Sequence, residues 1–474
     1  MVSSMALLPA VARRDAVAWG RLAGFRSGWY GCLGPWADAL FELTDAVLCA
    51  GGPVRSLPRL SLEPVMRRGH GSGYAALASG RADAAGLWAV LAAYRPAGWP
   101  LVFAVDATTW PRAAAETSPG RGLYYHPSRQ TGGKPVVAGW CYQKISQLCF
   151  GRDSWTWPVS AWRIAPDADL AAVTVAQARD VAARLARTGP VPLFVFDAGA
   201  SYDPAWLAHE LAGDRVQLLV RLHKNRVFFR DPPPRGPHTS GAPARHGAPF
   251  DLKNPLTWGA PDRQLAADDR VYGRVAVRAW AGLHPRISRR SRGHHRWAGH
   301  PKAPIVRGTV IQVTVTRLPK PGGNTLHTLW LWWSGPPGAT PSLDLCWRAY
   351  THRFDIEHTI RFEKTTLGWT TPALRHPQQA DRWTAIITAA YAQLVLARPL
   401  AADHKLPWER PASPGSLTPG RVRRDFPRLR PALPPIAKPR KPCHAGPGRP
   451  KGTPARRAKR YPVTKKSRLN TAQP

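Results

Sequence analysis

Four polar residues on one predicted helix have the types needed for phosphodiester chemistry: Tyr350, Arg353, Glu357 and Lys364. At about 100° per residue, they fall within an arc of roughly 60° on one side of that helix. Guanidinium and ammonium groups on such a face can neutralise backbone phosphates beside the acid. By the same arithmetic, Asp355 and Glu363 each lie about 140° from Tyr350, so Glu357 is the candidate acid.

Two aspartates follow apolar runs that predict buried strands. The run LVFAV is expected to end on Asp106, and the run VPLFVF is expected to end on Asp197. In an open α/β sheet, groups at the carboxyl ends of neighbouring strands line the crevice where ligands bind, so both carboxylates are expected in one place. Taken alone, an aspartate at a strand end is more often a turn former or a helix cap.

The segment from Tyr350 to Lys364, YTHRFDIEHTIRFEK, resembles the Tyr-x2-Arg-x3-Glu-x6-Lys signature of bacterial insertion-sequence transposases. That family of DDE superfamily endonucleases has a ribonuclease-H-like catalytic domain. The resemblance implies that Asp106, Asp197 and Glu357 are catalytic and hold the metal, and that Tyr350, Arg353 and Lys364 contact DNA. An ordinary packed or ion-paired helix surface is the alternative for the last three.

Three carboxylates suit Mg²⁺, because hard oxygen ligands hold this ion and leave positions for water and phosphate oxygens. Two Mg²⁺ ions are expected, with Mn²⁺ as a substitute. Such ions activate the attacking water or 3′-hydroxyl and stabilise the leaving oxygen, so no protein nucleophile is required.

The resemblance implies a DNA transposase that binds element ends, cleaves DNA and joins the 3′-hydroxyl to target DNA as a homodimer or larger assembly. A related nuclease without strand transfer and a domesticated noncatalytic DNA-binding protein are the alternatives. Composition independently predicts a polyanionic partner, since 67 Lys and Arg against 29 Asp and Glu give a formal charge of +38. Charge alone does not separate DNA from RNA.

The remaining composition predicts a cytoplasmic, nucleoid-associated protein. Six cysteines are scattered without a CxxC pair, which disfavours a structural zinc site or a disulfide framework. The N-terminal segment carries its positive charges after a short apolar stretch, the reverse of a secretory signal. The sequence contains no run long and apolar enough for a membrane span, and no membrane partner is expected.

Pattern and composition predict an α/β chain in which a ribonuclease-H-like mixed-sheet core is interrupted by an insertion. Residues 1–97 are expected to be helical and to bind DNA ends, with a helical cap on the core as the alternative. The catalytic core is assigned to residues 98–224 and 334–400, and a β-rich insertion to residues 225–333. In the insertion, Trp330, Trp332 and Trp333 are candidates for base stacking, although such aromatics more often fill a core.

Residues 401–474 form a basic, proline-rich tail in which residues 421–468 are expected to be disordered. Within it, PGRPKG resembles the core of an AT-hook, which makes Arg449 and Lys451 candidate DNA-binding residues. A generic basic tail that raises nonspecific affinity is the favoured alternative.

Overall fold

The computed structural model of the chain describes residues 10–125, 136–186, 188–197, 202–236, 241–287, 297, 303–318, 327–413, 415–440, 450–452, 454 and 457–465. These residues form a mixed α/β structure, consistent with the ribonuclease-H-like expectation. They are grouped into two compact units. The first unit comprises Met1–Trp99, Ala107–Ala168 and Asp355–Pro474, and the second comprises Pro100–Asp106 and Asp169–Phe354.

The helices, in chain order, are α1 (Ala10–Gly31), α2 (Ala37–Cys49), α3 (Leu57–Leu60), α4 (His70–Ser79), α5 (Ala84–Ala93), α6 (Leu170–Ala183), α7 (Pro204–Glu210), α8 (Leu343–His352), α9 (Phe354–Thr365), α10 (Pro377–Ala397) and α11 (Pro419–Leu429). Among the described residues, no helix combines the length and apolar character needed to cross a bilayer.

The strands are β1 (Val102–Pro111), β2 (Gly122–Tyr125), β3 (Val136–Leu148), β4 (Thr156–Ile164), β5 (Leu193–Phe196), β6 (Gln217–Leu222), β7 (Val227–Phe229), β8 (Pro249–Asp251), β9 (Arg263–Asp269), β10 (Gly273–Pro285), β11 (Gly308–Val315) and β12 (His327–Ser334).

The first unit is built around α10, which is buried along nearly its whole length and packs against α1, α2, α4, α5 and β4. A buried ion pair joins three of these helices. Arg26 donates two hydrogen bonds to Asp45, at 2.6 and 2.9 Å, and a third to Gln393 on α10 at 2.6 Å. The N-terminal helices therefore pack on α10. In the same unit, β3 pairs antiparallel with both β2 and β4.

The expectation of disorder from residue 421 is wrong for the segment that forms α11. Val422, Phe426 and Leu429 are buried at helical spacing, which a composition dominated by arginine and proline obscures. Arg423 is buried as well and donates to the carbonyl oxygen of Val47 at 2.9 Å. This part of the tail is consequently a folded element of the first unit.

The second unit contains a mixed sheet with a parallel centre. The first residues of β1 pair parallel with β5, and β5 pairs parallel with β6. Antiparallel neighbours then follow in the order β6, β12, β11 and β10, and β10 also pairs with β9 and β7. Helix α6 is capped at its N-terminus by Asp169, whose side chain accepts a hydrogen bond from the Ala171 amide.

The antiparallel part of this sheet encloses an aromatic cluster. Trp330 and Trp332 pack there with Trp280 and Phe250, and Trp333 is buried too, with its indole nitrogen donating to Gln217. The proposed stacking of Trp330, Trp332 and Trp333 on DNA bases is therefore wrong, because these rings fill the core.

Two element boundaries differ from the predictions. Strand β1 continues past Asp106 to Pro111, so the strand does not end on this acid. The single predicted helix is two helices, α8 and α9, separated at Arg353. There the backbone amide of Arg353 bonds to the Tyr350 carbonyl oxygen, three residues back, which tightens the last turn of α8.

Candidate active site

Asp106 lies on β1, and Asp197 directly follows β5, the parallel neighbour of β1 in the second unit. The register pairs Val102 with Leu193 and Ala104 with Val195. If that register continued by two residues, Asp106 would stand opposite Asp197. The meeting of the two carboxylates at one edge of the sheet stays a prediction.

Asp197 is surrounded by hydrogen-bond donors from two other elements of the second unit. Its Oδ1 accepts from the Tyr350 hydroxyl at 3.1 Å and from Arg221 Nη1 at 3.3 Å. Its Oδ2 lies 3.5 Å from Arg353 Nη2. Because the Asp197 side chain is still 41% exposed, it remains accessible to solvent and ligands beside these donors.

Tyr350 and Arg353 are buried side chains. The Arg353 side chain is 1% exposed, and its guanidinium carbon lies 4.7 Å from the Phe354 ring centroid. Burial, followed by the charge of Asp197, raises the pKa of the Tyr350 hydroxyl to about 12, so this hydroxyl stays protonated at neutral pH. Both residues are therefore placed to orient Asp197, and their contact with DNA stays a prediction.

Glu357 and Lys364 lie on α9 within the first unit. Of the three acids on this helix, Glu357 is exposed, whereas Asp355 and Glu363 are buried. A carboxylate must be exposed to meet a ligand, and the catalytic role of Glu357 stays a prediction. Lys364 instead donates to the Thr108 hydroxyl at 2.6 Å and to the Thr109 carbonyl oxygen at 3.0 Å.

Glu363 has a structural partner that spacing along the chain did not reveal. It forms a buried ion pair with Lys144 on β3, and the Lys144 ammonium lies 4.4 Å from the Trp369 ring centroid. Burial lowers the pKa of Lys144, although the Glu363 carboxylate opposes this shift. Lys364 stands over the same ring at 5.9 Å. The indole thus lies near both ammonium groups.

The donor chemistry at Asp106 and Asp197 fits a hard divalent cation, because both supply carboxylate oxygens. Within the described ranges, no group of three or more His, Cys, Asp or Glu side chains is arranged to hold a metal ion. The role of the two aspartates as metal ligands stays a prediction.

The other predicted DNA-binding residues lie in the C-terminal segment. Lys451 is exposed, and Arg449 lies outside the described residues. The sequence did not predict that Thr108 accepts a hydrogen bond from Lys364 or that Arg221 donates one to Asp197. A signal for both was present, since Thr108 follows Asp106 by two positions and Arg221 belongs to a basic segment at the end of a predicted strand.

Sequence comparison gives one family match. A comparison with curated proteins gave no match. The family model described as DDE superfamily endonuclease matches residues 30–299, which is more than half of the 474 residues. The match contains Asp106 and Asp197 and ends before Tyr350. Enzymes of this type generally use divalent metal ions. Because the match covers more than half of the sequence, the chain belongs to the DDE superfamily of endonucleases.

Proposed function

We propose that this protein is a DNA transposase that binds the ends of its element and catalyses metal-dependent cleavage and strand transfer. The observation that carries the proposal is the pair of aspartates Asp106 and Asp197, the first on β1 and the second directly after β5, which pairs parallel with β1. Tyr350 and Arg353, two residues of the transposase signature, bond to one member of that pair. The family match supports endonuclease chemistry, and its span of residues 30–299 includes both aspartates.

In this proposal Asp106, Asp197 and Glu357 hold Mg²⁺. The signature spacing and the exposure of Glu357 support its place as the third ligand. The chemistry that bound Mg²⁺ supplies is activation of a water or 3′-hydroxyl nucleophile and stabilisation of the leaving oxygen. Tyr350 and Arg353 hold the Asp197 carboxylate in one orientation, while Lys364 fixes the backbone after Asp106 through Thr108 and Thr109.

We propose DNA as the partner because the proposed reaction cleaves and joins DNA phosphodiester bonds and because the positive charge of the chain attracts a polyanion. A formal charge of +38 gives a long-range attraction to polyphosphate in addition to any contact at the site. Joining two element ends to one target calls for an assembly of at least two copies. We therefore propose a homodimer or larger complex on DNA.

Two alternatives use the same residues differently. A nuclease would cleave without joining, and a domesticated DNA-binding protein would do neither. The presence of all three candidate acids favours an enzyme. The Tyr, Arg and Lys of the signature favour strand transfer over cleavage alone.

The test compares the unaltered chain with Glu357→Gln on DNA that carries the flanking ends of the element. We expect Mg²⁺-dependent cleavage and joined products from the unaltered chain. The substitution should lower both by at least about 100-fold, because it removes a charged ligand where charge develops in the transition state. DNA affinity, measured by fluorescence anisotropy, should stay within about twofold.

Glu116→Gln is the matched control, because it makes the same change at an exposed glutamate of the first unit. It should leave both activities intact. Cleavage that survives Glu357→Gln would mean that the third acid is wrongly assigned. Cleavage without joined products by the unaltered chain would favour the nuclease, and DNA binding without cleavage would favour the noncatalytic protein.

A further inference from the structure

Among the described residues, Trp408 is the most exposed aromatic side chain. It is 80% exposed and lies between α10 and α11 in the first unit. A tryptophan normally contributes to a fold by burying its large ring. Trp408 leaves most of that ring in water, so packing within the described chain does not account for its position.

The segment around Trp408, residues 403–412, is held in one conformation by α11. Arg421 binds Asp403 with hydrogen bonds of 2.9 and 2.8 Å, and Arg424 binds Glu409 with bonds of 2.6 and 2.9 Å. The Arg424–Glu409 pair uses both terminal nitrogens and both carboxylate oxygens, which fixes direction as well as distance. In the other pair, a single nitrogen of Arg421, Nη1, donates to both oxygens of Asp403.

The two carboxylates also bind the backbone of the segment. Asp403 accepts from the Ala412 amide at 2.7 Å, and Glu409 accepts from the Leu406 amide at 2.9 Å. Asp403 lies before Trp408 and Glu409 lies after it. Each acid therefore connects an arginine of α11 to a backbone amide of the segment. The exposed ring sits on an ordered support, which lowers the entropy lost when the ring meets a ligand.

The charge around the ring favours an anionic ligand. Lys405 and Arg410 are exposed and flank Trp408 along the chain, three residues before it and two residues after it. The carboxylates of Asp403 and Glu409 pair with arginines, and Asp425 is buried. The exposed charges closest to the ring in sequence are therefore the two cations.

We infer that Trp408 forms a DNA contact outside the catalytic site, in which the indole stacks on an unpaired base or inserts at a distorted base step. The flanking cations would bind the adjoining phosphates. This inference rests on the DNA-binding part of the proposed function. DNA is favoured over a protein partner because two exposed cations flank the ring along the chain and the whole chain carries a formal charge of +38.

The test measures binding of the full chain, without metal, to a duplex that contains a three-nucleotide unpaired bulge. Trp408→Ala should weaken binding by about 5- to 100-fold, the range for loss of one base–aromatic stack. Trp408→Phe should recover most of the affinity. Leu256→Ala, at an exposed hydrophobic residue of the second unit, is the matched control and should have no effect.

Two further readouts separate stacking from other roles. A 2-aminopurine in the bulge should be quenched by the unaltered chain and not by Trp408→Ala. The salt dependence of binding should keep its slope in Trp408→Ala, because no phosphate contact is lost. Lys405→Ala should instead reduce the slope by about one.

Unchanged DNA binding in Trp408→Ala would overturn the inference and leave the proposed function standing. A change in sedimentation behaviour with unchanged DNA affinity would overturn it in favour of a contact between protein copies. Loss of DNA binding by the unaltered chain itself would overturn both.

Discussion

Asp197 has two arginine neighbours, Arg353 and Arg221, which differ in burial. Arg353 is buried and packed on aromatic rings, so its guanidinium is held in place. Arg221 is 45% exposed, and an ion pair of this kind contributes only about 0–1 kcal/mol. Arg221 can therefore leave Asp197 at little cost and donate to a phosphate oxygen beside it.

We predict that Arg221→Ala lowers the rate of DNA cleavage by about 100-fold, the effect of removing one preorganised donor from a developing charge. DNA affinity should change by less than about threefold, because a single phosphate contact is lost among many. Single-turnover cleavage at saturating protein measures the first quantity, and fluorescence anisotropy measures the second.

Arg226→Ala is the control for Arg221→Ala, since Arg226 is exposed four residues beyond β6 and carries the same charge. It should cleave at the rate of the unaltered chain. Equal losses in the two variants would mean that the segment attracts DNA by charge alone, which would contradict the role given to Arg221.

Among the elements, strands were more predictable than the junction between helices. The apolar runs before Asp106 and Asp197 indicated β1 and β5, which pair parallel with each other. The break between α8 and α9 had no local signal, because residues 352–354 contain neither proline nor glycine. Arg353 at that break contacts Asp197 and Phe354, and the contact with Asp197 comes from a distant part of the chain.

The same limit explains the buried partners that the sequence did not reveal. Periodicity identifies which side of a helix is buried, but the identity of the facing residue depends on tertiary packing. Glu363 meets Lys144 from 219 positions away. Helix α11 was missed for a different reason, since its apolar residues are few and the basic composition dominated the prediction.

The Lys144–Glu363 pair predicts a stability effect for the first unit. Lys144→Met should cost about 3–5 kcal/mol, because it leaves the Glu363 carboxylate buried without its cation. The double variant Lys144→Met with Glu363→Leu should recover most of this loss, since two apolar side chains replace two buried charges. Urea unfolding followed by tryptophan fluorescence measures both variants.

Arg179→Met provides the comparison for the buried pair, because Arg179 and Asp214 form an ion pair with exposed side chains. Its effect should be below about 1 kcal/mol. A double variant as unstable as Lys144→Met alone would contradict the explanation by charge burial and would assign the loss to packing around Trp369.

For the whole molecule, the excess of basic residues sets how DNA affinity depends on salt. The formal charge of +38 belongs to the entire chain, and residues 441–474 contribute ten Lys and Arg and no acid. A segment of this composition binds phosphate in any sequence context. An AT-hook would add a preference for the narrow minor groove of A·T-rich DNA.

We predict that Arg449→Ala with Lys451→Ala weakens binding to A·T-rich and G·C-rich duplexes by the same factor. Loss of two phosphate contacts should reduce the slope of log affinity against log salt by about 2, because each contact contributes about 0.9. Anisotropy titrations on two duplexes of equal length, each at four salt concentrations, measure both quantities. A selective loss on A·T-rich DNA with an unchanged slope would instead identify PGRPKG as a minor-groove reader, since shape recognition there depends on how the segment fits the groove.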